Sequence, residues 1–398
     1  MKYVVFLGDG MADVPIEALN GKTPLQVANK PFIDGLCKRA EVGLMKTVPD
    51  GMKPGSDVAN LSVLGYNPLE GYTGRSPLEA ASIGIELTDT CVTARANLVT
   101  VSNEPDYADK TMVDYSAGEI STAEAKELIE FLAKEFNDEK YKLYSGVSYR
   151  HCLVIENGEI NGNLTPPHDI TGKPVKDYLP SGKYLEFMKK SCELLKDHPV
   201  NQARIKAGKN PANSLWFWGE GTKPSLENFE SRFGVKGGMI SAVDLLKGIG
   251  KLAGMRVINV EGATGNYDTN FTGKAKGCID ALSSGVDLVY IHMEAPDECG
   301  HHGDLEHKIY SIEQIDKVVE KVVNALEDKG EDYAILVAPD HPTPIGIMTH
   351  TSTPVPYMIY RKGKDISNGA TSYDEVQAKS TGLFVADGYK IMEKLIYG

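Results

Sequence analysis

The stretch from Gly285 to Asp304, GVDLVYIHMEAPDECGHHGD, constrains the fold more than any other part of the sequence. The apolar run from Val286 to Ile291 predicts a short buried strand. The carboxylate and imidazole side chains that follow this run are Asp297, Glu298, His301, His302 and Asp304. A strand that ends in such a group is typical of an open α/β fold, in which ligands bind beyond the carboxyl ends of the strands. We therefore expect an α/β fold with a polar site at this end of the strand.

Asp297 and His301 are four residues apart, so one turn of helix would place both on the same face. A carboxylate oxygen and an imidazole nitrogen at that spacing suit a divalent metal such as manganese or zinc. The alternative is that Asp297 caps a helix beginning near Glu298 and that the histidines are solvated. Cys299 lies between the two residues, and we expect it to be a bystander.

Similar side chains follow other predicted strands. Asp9 follows the strand Lys2 to Leu7, and the strand Tyr333 to Ala338 is followed by the remaining candidates, which are Asp340, His341 and, further along the chain, His350. If these strands share one sheet, their carboxyl ends meet at one edge. The combined set could hold two metals and leave positions open for a substrate. Two metals roughly 4 Å apart can stabilise both the attacking and the leaving oxygen of a phosphoryl transfer.

Ser56 begins a short helix after the turn at Pro54-Gly55. Serine most often caps a helix at such a position. It could also be a nucleophile, because the N–H groups at a helix N-terminus point toward an incoming phosphate. On the residues around Ser56 alone, the helix cap is the favoured role.

The pattern of predicted elements changes twice along the chain. Strands and helices alternate at both ends, which predicts one mostly parallel α/β domain formed from residues 1–84 and 236–398. Residues 85–235 mix strand pairs with helices, including one at Thr122 to Phe136, and we expect an inserted α+β domain that binds substrate or acts as a lid. In the first domain, Thr23-Pro24 predicts a helix that continues to about Arg39.

The bulk composition restricts the partners. A net charge of −13 argues against nucleic acid or an anionic membrane as a partner. The six cysteines are scattered without a C-x-x-C pair, which is the pattern of a reduced, intracellular protein. The sequence contains no apolar run long enough for a signal peptide or a membrane span, so we expect a cytoplasmic protein. The oligomeric state is left open.

Long motifs identify a family that the chain resembles. They are GDGMAD, GKTPLQVANKPFID, PGSDVANLSVLGY, APDECGHHGD, PDHPTP and THTSTPVP, with YRHCLV, TPPHDITG, DHPVNQAR, NSLWFWGEG and GATGNYDTN elsewhere. Together they resemble the cofactor-independent (2,3-bisphosphoglycerate-independent) phosphoglycerate mutases, in particular the shorter archaeal-type branch. This family belongs to the alkaline phosphatase superfamily, so the resemblance implies an alkaline-phosphatase-like, mostly parallel sheet flanked by helices.

The resemblance also implies roles for individual residues. Ser56 would become phosphorylated. One divalent metal would be held by Asp9, Ser56, Asp340 and His341, and a second by Asp297, His301 and His350. The residues that match substrate-binding positions are Arg150, His151, His168, Arg204 and Lys236. His302 receives no role, and Glu119 stands where the family pattern leads us to expect a histidine. Manganese is the first choice of metal, with zinc, cobalt or magnesium as alternatives, and no 2,3-bisphosphoglycerate is required.

The implied reaction interconverts 3-phosphoglycerate and 2-phosphoglycerate in glycolysis and gluconeogenesis. The alternatives are a phosphatase, a sulfatase, a phosphopentomutase or a relative labelled homoserine kinase that acts on another small phosphorylated acid. The segment from Ser56 to Asn60 does not fit the C/S-x-P-x-R nucleophile motif of sulfatases. The sequence also contains no G-x-x-x-x-G-K-[ST] phosphate loop, which argues against a P-loop kinase.

Overall fold

Both ends of the chain belong to the same structural unit. The computed structural model describes residues 1–162 and 164–398. Unit 1 comprises Met1–Tyr72 and Ser225–Gly398, and unit 2 comprises Thr73–Pro224. The sequence-based boundaries fall after residues 84 and 235, about ten residues later in each case. The first difference arises because the helix Arg75–Ser82 packs against the strands of unit 2.

The strands are numbered in chain order. Those of the described residues are β1 (Lys2–Gly8), β2 (Glu41–Met45), β3 (Val92–Val101), β4 (Met112–Asp114), β5 (Tyr141–Val147), β6 (Arg150–Ile155), β7 (Ser214–Thr222), β8 (Gly237–Ile240), β9 (Arg256–Val257), β10 (Leu288–Met293), β11 (Tyr333–Ala338), β12 (Val355–Arg361) and β13 (Phe384–Val385).

The helices are numbered in the same way. The α-helices of the described residues are α1 (Pro24–Val27), α2 (Pro31–Cys37), α3 (Ser56–Val63), α4 (Pro68–Gly71), α5 (Arg75–Ser82), α6 (Thr122–Phe136), α7 (Gly182–Leu195), α8 (Pro199–Lys206), α9 (Phe229–Phe233), α10 (Asp244–Leu252), α11 (Phe271–Ser283), α12 (Ala295–His302), α13 (Leu305–Asp328), α14 (Glu375–Ser380) and α15 (Ile391–Tyr397). Short 3₁₀ turns occupy Glu17–Leu19, Tyr107–Asp109, Pro167–Ile170, Lys176–Tyr178 and Gly388–Lys390. None of the helices within the described ranges is long and apolar enough to cross a membrane.

Unit 1 is built on an eight-stranded sheet with the order β13-β2-β12-β11-β1-β10-β8-β9. The strands β9, β8, β10, β1 and β11 are parallel to one another, and β12 runs antiparallel between β11 and β2. Because β1 has β10 on one side and β11 on the other, the carboxyl ends of these three strands lie side by side. The segments that follow them contain the predicted site residues.

The core of unit 1 explains why its central strands read as continuous apolar runs. β1, β10 and β11 are buried along nearly their whole length, as expected for a parallel sheet covered on both faces. On one face, α2, α11 and α13 pack together and share a hydrophobic core with Val4, Ile291 and Ile335 of the sheet. The predicted α/β class, a mostly parallel sheet flanked by helices, is confirmed.

Unit 2 has a different architecture. Its sheet runs β4-β3-β6-β5, with β7 on the other side of β3, and all of its pairings are antiparallel. Helices α6 and α7 pack against this sheet, and the rings of Phe136 and Phe187 stack between the two helices with centroids 4.4 Å apart. An antiparallel sheet with helices on it is an α+β arrangement, as the sequence predicts for the inserted segment.

One predicted helix is wrong in its extent. The sequence predicts a single helix from Thr23 to about Arg39, whereas the chain forms α1 and then α2. Pro31 separates them, because proline lacks an N–H group and pushes the residue before it out of the helical region. Accordingly, Lys30 adopts φ −128° and ψ 59°. Thr23 begins the first helix as predicted, with its side chain accepting a hydrogen bond from the backbone N–H of Gln26.

The buried sheet predicts the cost of a core truncation. We expect Ile335→Ala, which removes a fully buried side chain of β11, to lower the free energy of unfolding by about 2–5 kcal/mol. Val376→Ala in α14 is the control, since that side chain is 52% exposed and such changes usually stay within about 0.5 kcal/mol. Urea unfolding followed by far-UV circular dichroism measures both variants. Equal effects would contradict the described core.

Candidate metal centre

Three acidic or imidazole side chains converge beyond two neighbouring strands of unit 1. Asp9 follows β1, and Asp340 and His341 follow β11. Each residue offers one ligand atom, and these atoms all lie within 4.8 Å of one another. All three side chains are buried. We call Asp9, Asp340 and His341 the first cluster.

The His341 ring is oriented so that Nε2 faces the other members of the first cluster. Nε2 lies 3.6 Å from Oδ1 of Asp9 and 3.4 Å from Oδ2 of Asp340. Nδ1 lies 3.3 Å from Oγ1 of Thr343, whose hydroxyl proton is donated to Asp297. The Thr343 oxygen therefore accepts from Nδ1–H, and the Nε2 lone pair of His341 is free to bind a cation. Burial lowers the pKa of His341, which also favours the neutral, ligating form.

Ser56 adjoins the first cluster, with Oγ 3.3 Å from Nε2 of His341. It is the first residue of α3, while Gly55 occupies the N-cap position and provides no side-chain cap. The interpretation of Ser56 as a helix cap is therefore wrong. The hydroxyl instead faces the side chains that could hold a metal, as a nucleophile would.

Asp340 is held by three donors. Its Oδ1 accepts hydrogen bonds from the backbone N–H groups of Gly10 at 3.1 Å and His341 at 2.8 Å. Its Oδ2 accepts from the Asn60 side chain at 2.8 Å, and the same amide nitrogen also donates to the carbonyl oxygen of Ser56. The Asn60 oxygen accepts from the Tyr290 hydroxyl at 2.6 Å. Asn60 thus ties the helix that bears Ser56 to a carboxylate of the first cluster.

Asp9 is held on one side only. Oδ2 lies 2.7 Å from Nε2 of His292, whereas Oδ1 is buried without a hydrogen-bond partner among the described residues. Burial, with the charges of Asp340 and Asp297 nearby, raises the pKa of Asp9 well above its ordinary value. A divalent cation beside Oδ1 would satisfy this oxygen and compensate the clustered negative charge. The first cluster therefore fits a metal ion.

A second cluster consists of Asp297, His301 and His350, whose ligand atoms also lie within 4.8 Å of one another. Asp297 and His301 lie on α12, which has Glu294 at its N-cap position. Asp297 is inside the helix, so the alternative that it caps a helix beginning near Glu298 is wrong. The predicted four-residue spacing does place the two side chains together, with Nε2 of His301 3.3 Å from Oδ2 of Asp297.

The distances within the second cluster are those of ligands around one ion. Nε2 of His350 lies 3.4 Å from Oδ1 of Asp297 and 2.9 Å from Nε2 of His301. Ligand atoms that each lie about 2.1 Å from a tetrahedral ion are separated by roughly 3–3.5 Å. Nδ1 of His301 donates to the Met348 carbonyl oxygen at 3.0 Å, so Nε2 is the nitrogen that faces the cluster. Met348 reaches this position with φ 52°, an uncommon value for a residue other than glycine.

The charges of the second cluster are strongly coupled. A hydrogen bond to Asp297 raises the pKa of His301 to about 9, against the opposing effect of burial. Burial alone would raise the pKa of Asp297, but the hydrogen bonds from His301 and His350 outweigh it and hold that pKa well below its ordinary value. An ionised carboxylate beside two imidazoles is a donor set that binds manganese or zinc.

The two clusters are directly connected. The Thr343 hydroxyl donates to Oδ1 of Asp297 and accepts from His341, so one side chain orients a member of each cluster. Gly10 lies against the same place with φ 61°, and a Cβ atom there would come within 2.6 Å of Oδ1 of Asp297 and of Oγ1 of Thr343. The backbone between the clusters therefore admits only glycine.

The remaining candidates in unit 1 lie away from the clusters. The His302 side chain is 73% exposed, and Cys299 is buried. Lys236 is exposed and precedes β8, at the amino end of the sheet, where its backbone bonds to Asp287. The clusters lie beyond the carboxyl ends of the parallel strands, so the structure does not bring Lys236 to them.

In unit 2, Arg150 is exposed at the start of β6, and its guanidinium lies 5.5 Å from the ring centroid of Tyr149. His151 is buried. Its Nδ1 accepts from the backbone N–H of Gly146, and its Nε2 has no hydrogen-bond partner among the described residues. Burial lowers the pKa of His151 to about 3, so the ring is neutral. The ring of His168 lies 5.2 Å from that of Trp218.

Arg204 and Glu119 occupy structural positions in unit 2. The Arg204 guanidinium is buried and donates to the carbonyl oxygens of Asn210 and Ala117 and to the Glu124 carboxylate. Glu119 lies in a turn with φ 48°, and its backbone N–H donates to Oγ of Ser116. These contacts hold the 114–124 segment of unit 2 together.

Three polar residues that support the clusters are not among the sequence predictions: Asn60, His292 and Thr343. Two of them carry a signal in the sequence. Asn60 is four residues after Ser56 and therefore on the same helix face, and His292 is a titratable residue inside an otherwise buried strand. Thr343 carries no such signal, since a threonine between two prolines is common in loops.

The fold and the two clusters define an α/β protein with two groups of candidate metal ligands, the first of which adjoins a serine hydroxyl. A family model for 2,3-bisphosphoglycerate-independent phosphoglycerate mutase matches residues 37–201. The chain is 48% identical over 400 residues to a probable 2,3-bisphosphoglycerate-independent phosphoglycerate mutase of Geobacter sulfurreducens, with 100% of both chains covered. It is also 48% identical over 403 residues to the enzyme of Methanothrix thermoacetophila, again with 100% of both covered. The chain belongs to the 2,3-bisphosphoglycerate-independent phosphoglycerate mutases.

Solved structures agree with this assignment. A Pyrococcus horikoshii protein has a TM-score of 0.83 at 30% identity, with 99% of this chain and 96% of that chain covered. The cofactor-independent phosphoglycerate mutase of Thermoplasma acidophilum has a TM-score of 0.69 at 26% identity, with 99% of both chains covered. The family resemblance, the fold class and the enzyme class predicted from the sequence are confirmed.

The contacts of Asn60 generate a prediction for this site. Asn60→Ala leaves the Tyr290 hydroxyl and Oδ2 of Asp340 without this partner, and each buried polar group left unpaired costs about 1–3 kcal/mol. We therefore expect a clearly lower free energy of unfolding, measured by urea denaturation. Asn266→Ala, at an exposed loop position of the same unit, is the control and should leave stability nearly unchanged. If the two variants are equally stable, the described network is wrong.

Proposed function

We propose that this phosphoglycerate mutase interconverts 3-phosphoglycerate and 2-phosphoglycerate through a phosphoserine formed on Ser56. The first cluster with Ser56 would hold one divalent cation, and the second cluster would hold another. The observation that carries this proposal is the contact of the Ser56 hydroxyl with His341, at 3.3 Å, on a helix that Ser56 does not cap.

The donor atoms support cation binding at both places. The first cluster offers two carboxylates, an imidazole nitrogen and the Ser56 hydroxyl, and the second offers a carboxylate and two imidazole nitrogens. Mixed oxygen and nitrogen donors of this kind suit manganese, with zinc, cobalt or magnesium as alternatives. When bound, such cations supply charge neutralisation for a phosphate and lower the pKa of the serine hydroxyl.

The proposed reaction has two balanced steps. In the first, Oγ of Ser56 forms a bond to phosphorus, the bond from phosphorus to the substrate oxygen breaks, and the serine proton passes to that oxygen, which becomes a hydroxyl of the bound glycerate. In the second, the oxygen of the other glycerate hydroxyl forms the bond to phosphorus, the phosphoserine bond breaks, and the hydroxyl proton passes to Oγ of Ser56, which restores the serine. Because both steps transfer the same phosphoryl group, glycerate must stay bound and water must be excluded between them.

We propose that unit 2 supplies residues that bind the substrate. Arg150 is exposed and can bind a carboxylate or phosphate through two N–H groups. His151 keeps a buried Nε2 unpaired among the described residues, and His168 lies beside the Trp218 ring. Arg204 and Lys236 are not part of this proposal, because the Arg204 guanidinium is already bonded inside unit 2 and Lys236 lies at the amino end of the sheet of unit 1.

A phosphatase or a mutase acting on another phosphorylated acid is the alternative. Both would use the same serine and the same clusters, so the products distinguish them. Incubation with 3-phosphoglycerate should give 2-phosphoglycerate at a rate far above the release of inorganic phosphate. Release of phosphate as the main product would identify a phosphatase.

Ser56→Ala tests the nucleophile. We expect the variant to lose mutase activity by a factor of about 10³ or more, because no side chain remains to accept the phosphoryl group. In the native chain, rapid quenching after addition of ³²P-labelled 3-phosphoglycerate should label a peptide that contains Ser56. Mutase activity retained in Ser56→Ala with metals bound would refute the proposal.

Ser121→Ala is the matched control for Ser56→Ala. Ser121 caps α6, and its side chain accepts from the backbone N–H of Glu124. Removing this cap should lower the free energy of unfolding by about 1 kcal/mol and leave the mutase reaction in place. Ser56→Ala should show the opposite pattern, with activity lost and little change in stability, because Ser56 makes no cap.

Removal of metal tests the two clusters. We expect prolonged dialysis against EDTA to abolish mutase activity and added Mn²⁺ to restore it. His350→Ala, which removes one donor of the second cluster, should reduce the number of tightly bound Mn²⁺ ions from two to one, as measured by isothermal titration calorimetry. His302→Ala is the control, because its side chain is exposed and makes no contact with either cluster. Full activity after complete removal of metal would contradict the proposal.

A further inference from the structure

His292 is a buried imidazole that the proposed reaction does not use directly. It lies near the carboxyl end of β10, next to β1, and its side chain is completely buried. Nε2 lies 2.7 Å from Oδ2 of Asp9, and Nδ1 lies 3.1 Å from Oγ of Ser241, which follows β8. His292 therefore connects Ser241, which follows β8, to Asp9, the carboxylate of the first cluster that follows β1.

The directions of these hydrogen bonds can be assigned. Oγ of Ser241 accepts from the backbone N–H of Val243 at 3.0 Å, so its own proton is available for Nδ1 of His292. A neutral imidazole that accepts at Nδ1 carries its proton on Nε2, which then donates to Oδ2 of Asp9. The chain of donors then runs from the Ser241 hydroxyl to His292, and from His292 to Oδ2 of Asp9.

This chain of donors fixes how Asp9 meets a cation. With Oδ2 held by His292, the carboxylate cannot rotate freely, and Oδ1 is presented toward Nε2 of His341 at 3.6 Å. Oδ1 is also the oxygen that has no hydrogen-bond partner among the described residues. Groups that orient a metal ligand in this way typically change metal affinity 10–100-fold when they are removed.

The main chain around His292 is fixed as well. Its carbonyl oxygen accepts from the buried ammonium group of Lys274 at 3.0 Å, and the backbone N–H of Asp9 donates to the carbonyl oxygen of Met293. The imidazole therefore approaches Asp9 from a rigid strand. Ser241 contributes the proton that selects the ring tautomer.

We propose that His292, oriented by Ser241, is a positioning residue that sets the cation affinity of the first cluster by holding Oδ2 of Asp9. This inference rests on the proposed function, because it requires a cation at the first cluster. It predicts that loss of the imidazole weakens one cation site and leaves the other, at Asp297, His301 and His350, unchanged.

The experiment compares His292→Leu with His292→Gln in the full chain. Each protein is stripped with EDTA, and Mn²⁺ binding is followed by electron paramagnetic resonance and by calorimetry. We expect His292→Leu to weaken one of two Mn²⁺ sites about 10–100-fold. We expect His292→Gln to recover most of the affinity, since a glutamine side chain can place a donor near the position of Nε2. Repeating the titrations with His350→Ala in combination identifies the first cluster as the site affected.

Two further variants separate positioning from simple stability. Tyr333 is the first residue of β11, at the amino end of the sheet and away from the clusters, and its hydroxyl donates to the Glu327 carboxylate. Tyr333→Phe removes this hydroxyl and should leave both Mn²⁺ sites unchanged. Ser241→Ala keeps the imidazole and removes only its partner, so we expect a smaller loss of affinity at the same site. Ser241→Ala also tests the proposal if His292→Leu does not fold.

Each outcome has one meaning. Selective weakening of the first-cluster site, with recovery in His292→Gln, supports the positioning role. Native-like binding at both sites in His292→Leu and Ser241→Ala overturns it and leaves the proposed metal centre intact. Equal weakening of both sites without recovery by glutamine also overturns it, because it indicates a general structural role. If the native chain itself binds fewer than two Mn²⁺ ions, the proposed metal centre is wrong and this inference falls with it.

Discussion

The structure of unit 1 depends on how buried negative charge is compensated. Asp9, Asp297 and Asp340 are all buried within a small space beyond the ends of parallel strands. Burying an ionised carboxylate is unfavourable unless it is paired or coordinates a cation. Burial and the neighbouring carboxylates raise the pKa of Asp9, and the hydrogen bond to Asp297 raises the pKa of His301. The same concentration of charge that is costly for folding is what makes the site suitable for cations and, through them, for a phosphate.

Neutral hydrogen-bonding groups orient the charged and imidazole side chains of this site. Thr343 and the Met348 carbonyl each accept a hydrogen bond from one nitrogen of a histidine, so the other nitrogen of that ring faces its cluster. Asn60 and His292 do the equivalent for the two carboxylates of the first cluster, each occupying one oxygen. None of these supporting groups adds net charge to the site. The orientation of His301, His341, Asp340 and Asp9 is therefore set by hydrogen bonds within the protein, which would reduce the cost of ordering them around a cation.

The parts of this arrangement that the sequence predicts are those governed by short-range rules. The rule that ligands bind beyond the carboxyl ends of parallel strands identified Asp9, Asp297 and Asp340 as site candidates. The four-residue period of a helix paired Asp297 with His301. The helix Thr122–Phe136 has the predicted bounds because Ser121 and Glu124 form a capping box at its start. The supporting residues depend on contacts between distant segments, and short-range rules do not report them: Asn60 reaches Asp340 across 280 positions and His292 reaches Asp9 across 283. Long-range contacts also explain Arg204, which the sequence suggests as a substrate-binding residue. Its guanidinium bonds inside unit 2 to Ala117 and Glu124, which are far from it in sequence.

Two serines at helix starts show why residue type alone does not determine a role. Ser121 precedes the first turn of α6 and caps it, whereas Ser56 is already the first helical residue of α3, with Gly55 before it in an extended conformation (φ 177°, ψ 157°). A shift of one position along the helix removes the serine oxygen from reach of the N–H groups that a cap would satisfy. The Asn60 amide holds the Ser56 carbonyl at 2.8 Å, and the Tyr72 hydroxyl holds the Asp57 carboxylate, so the first turn of α3 is fixed by side chains other than Ser56. The hydroxyl of Ser56 is thereby left available for chemistry, and the stability of the helix does not depend on it.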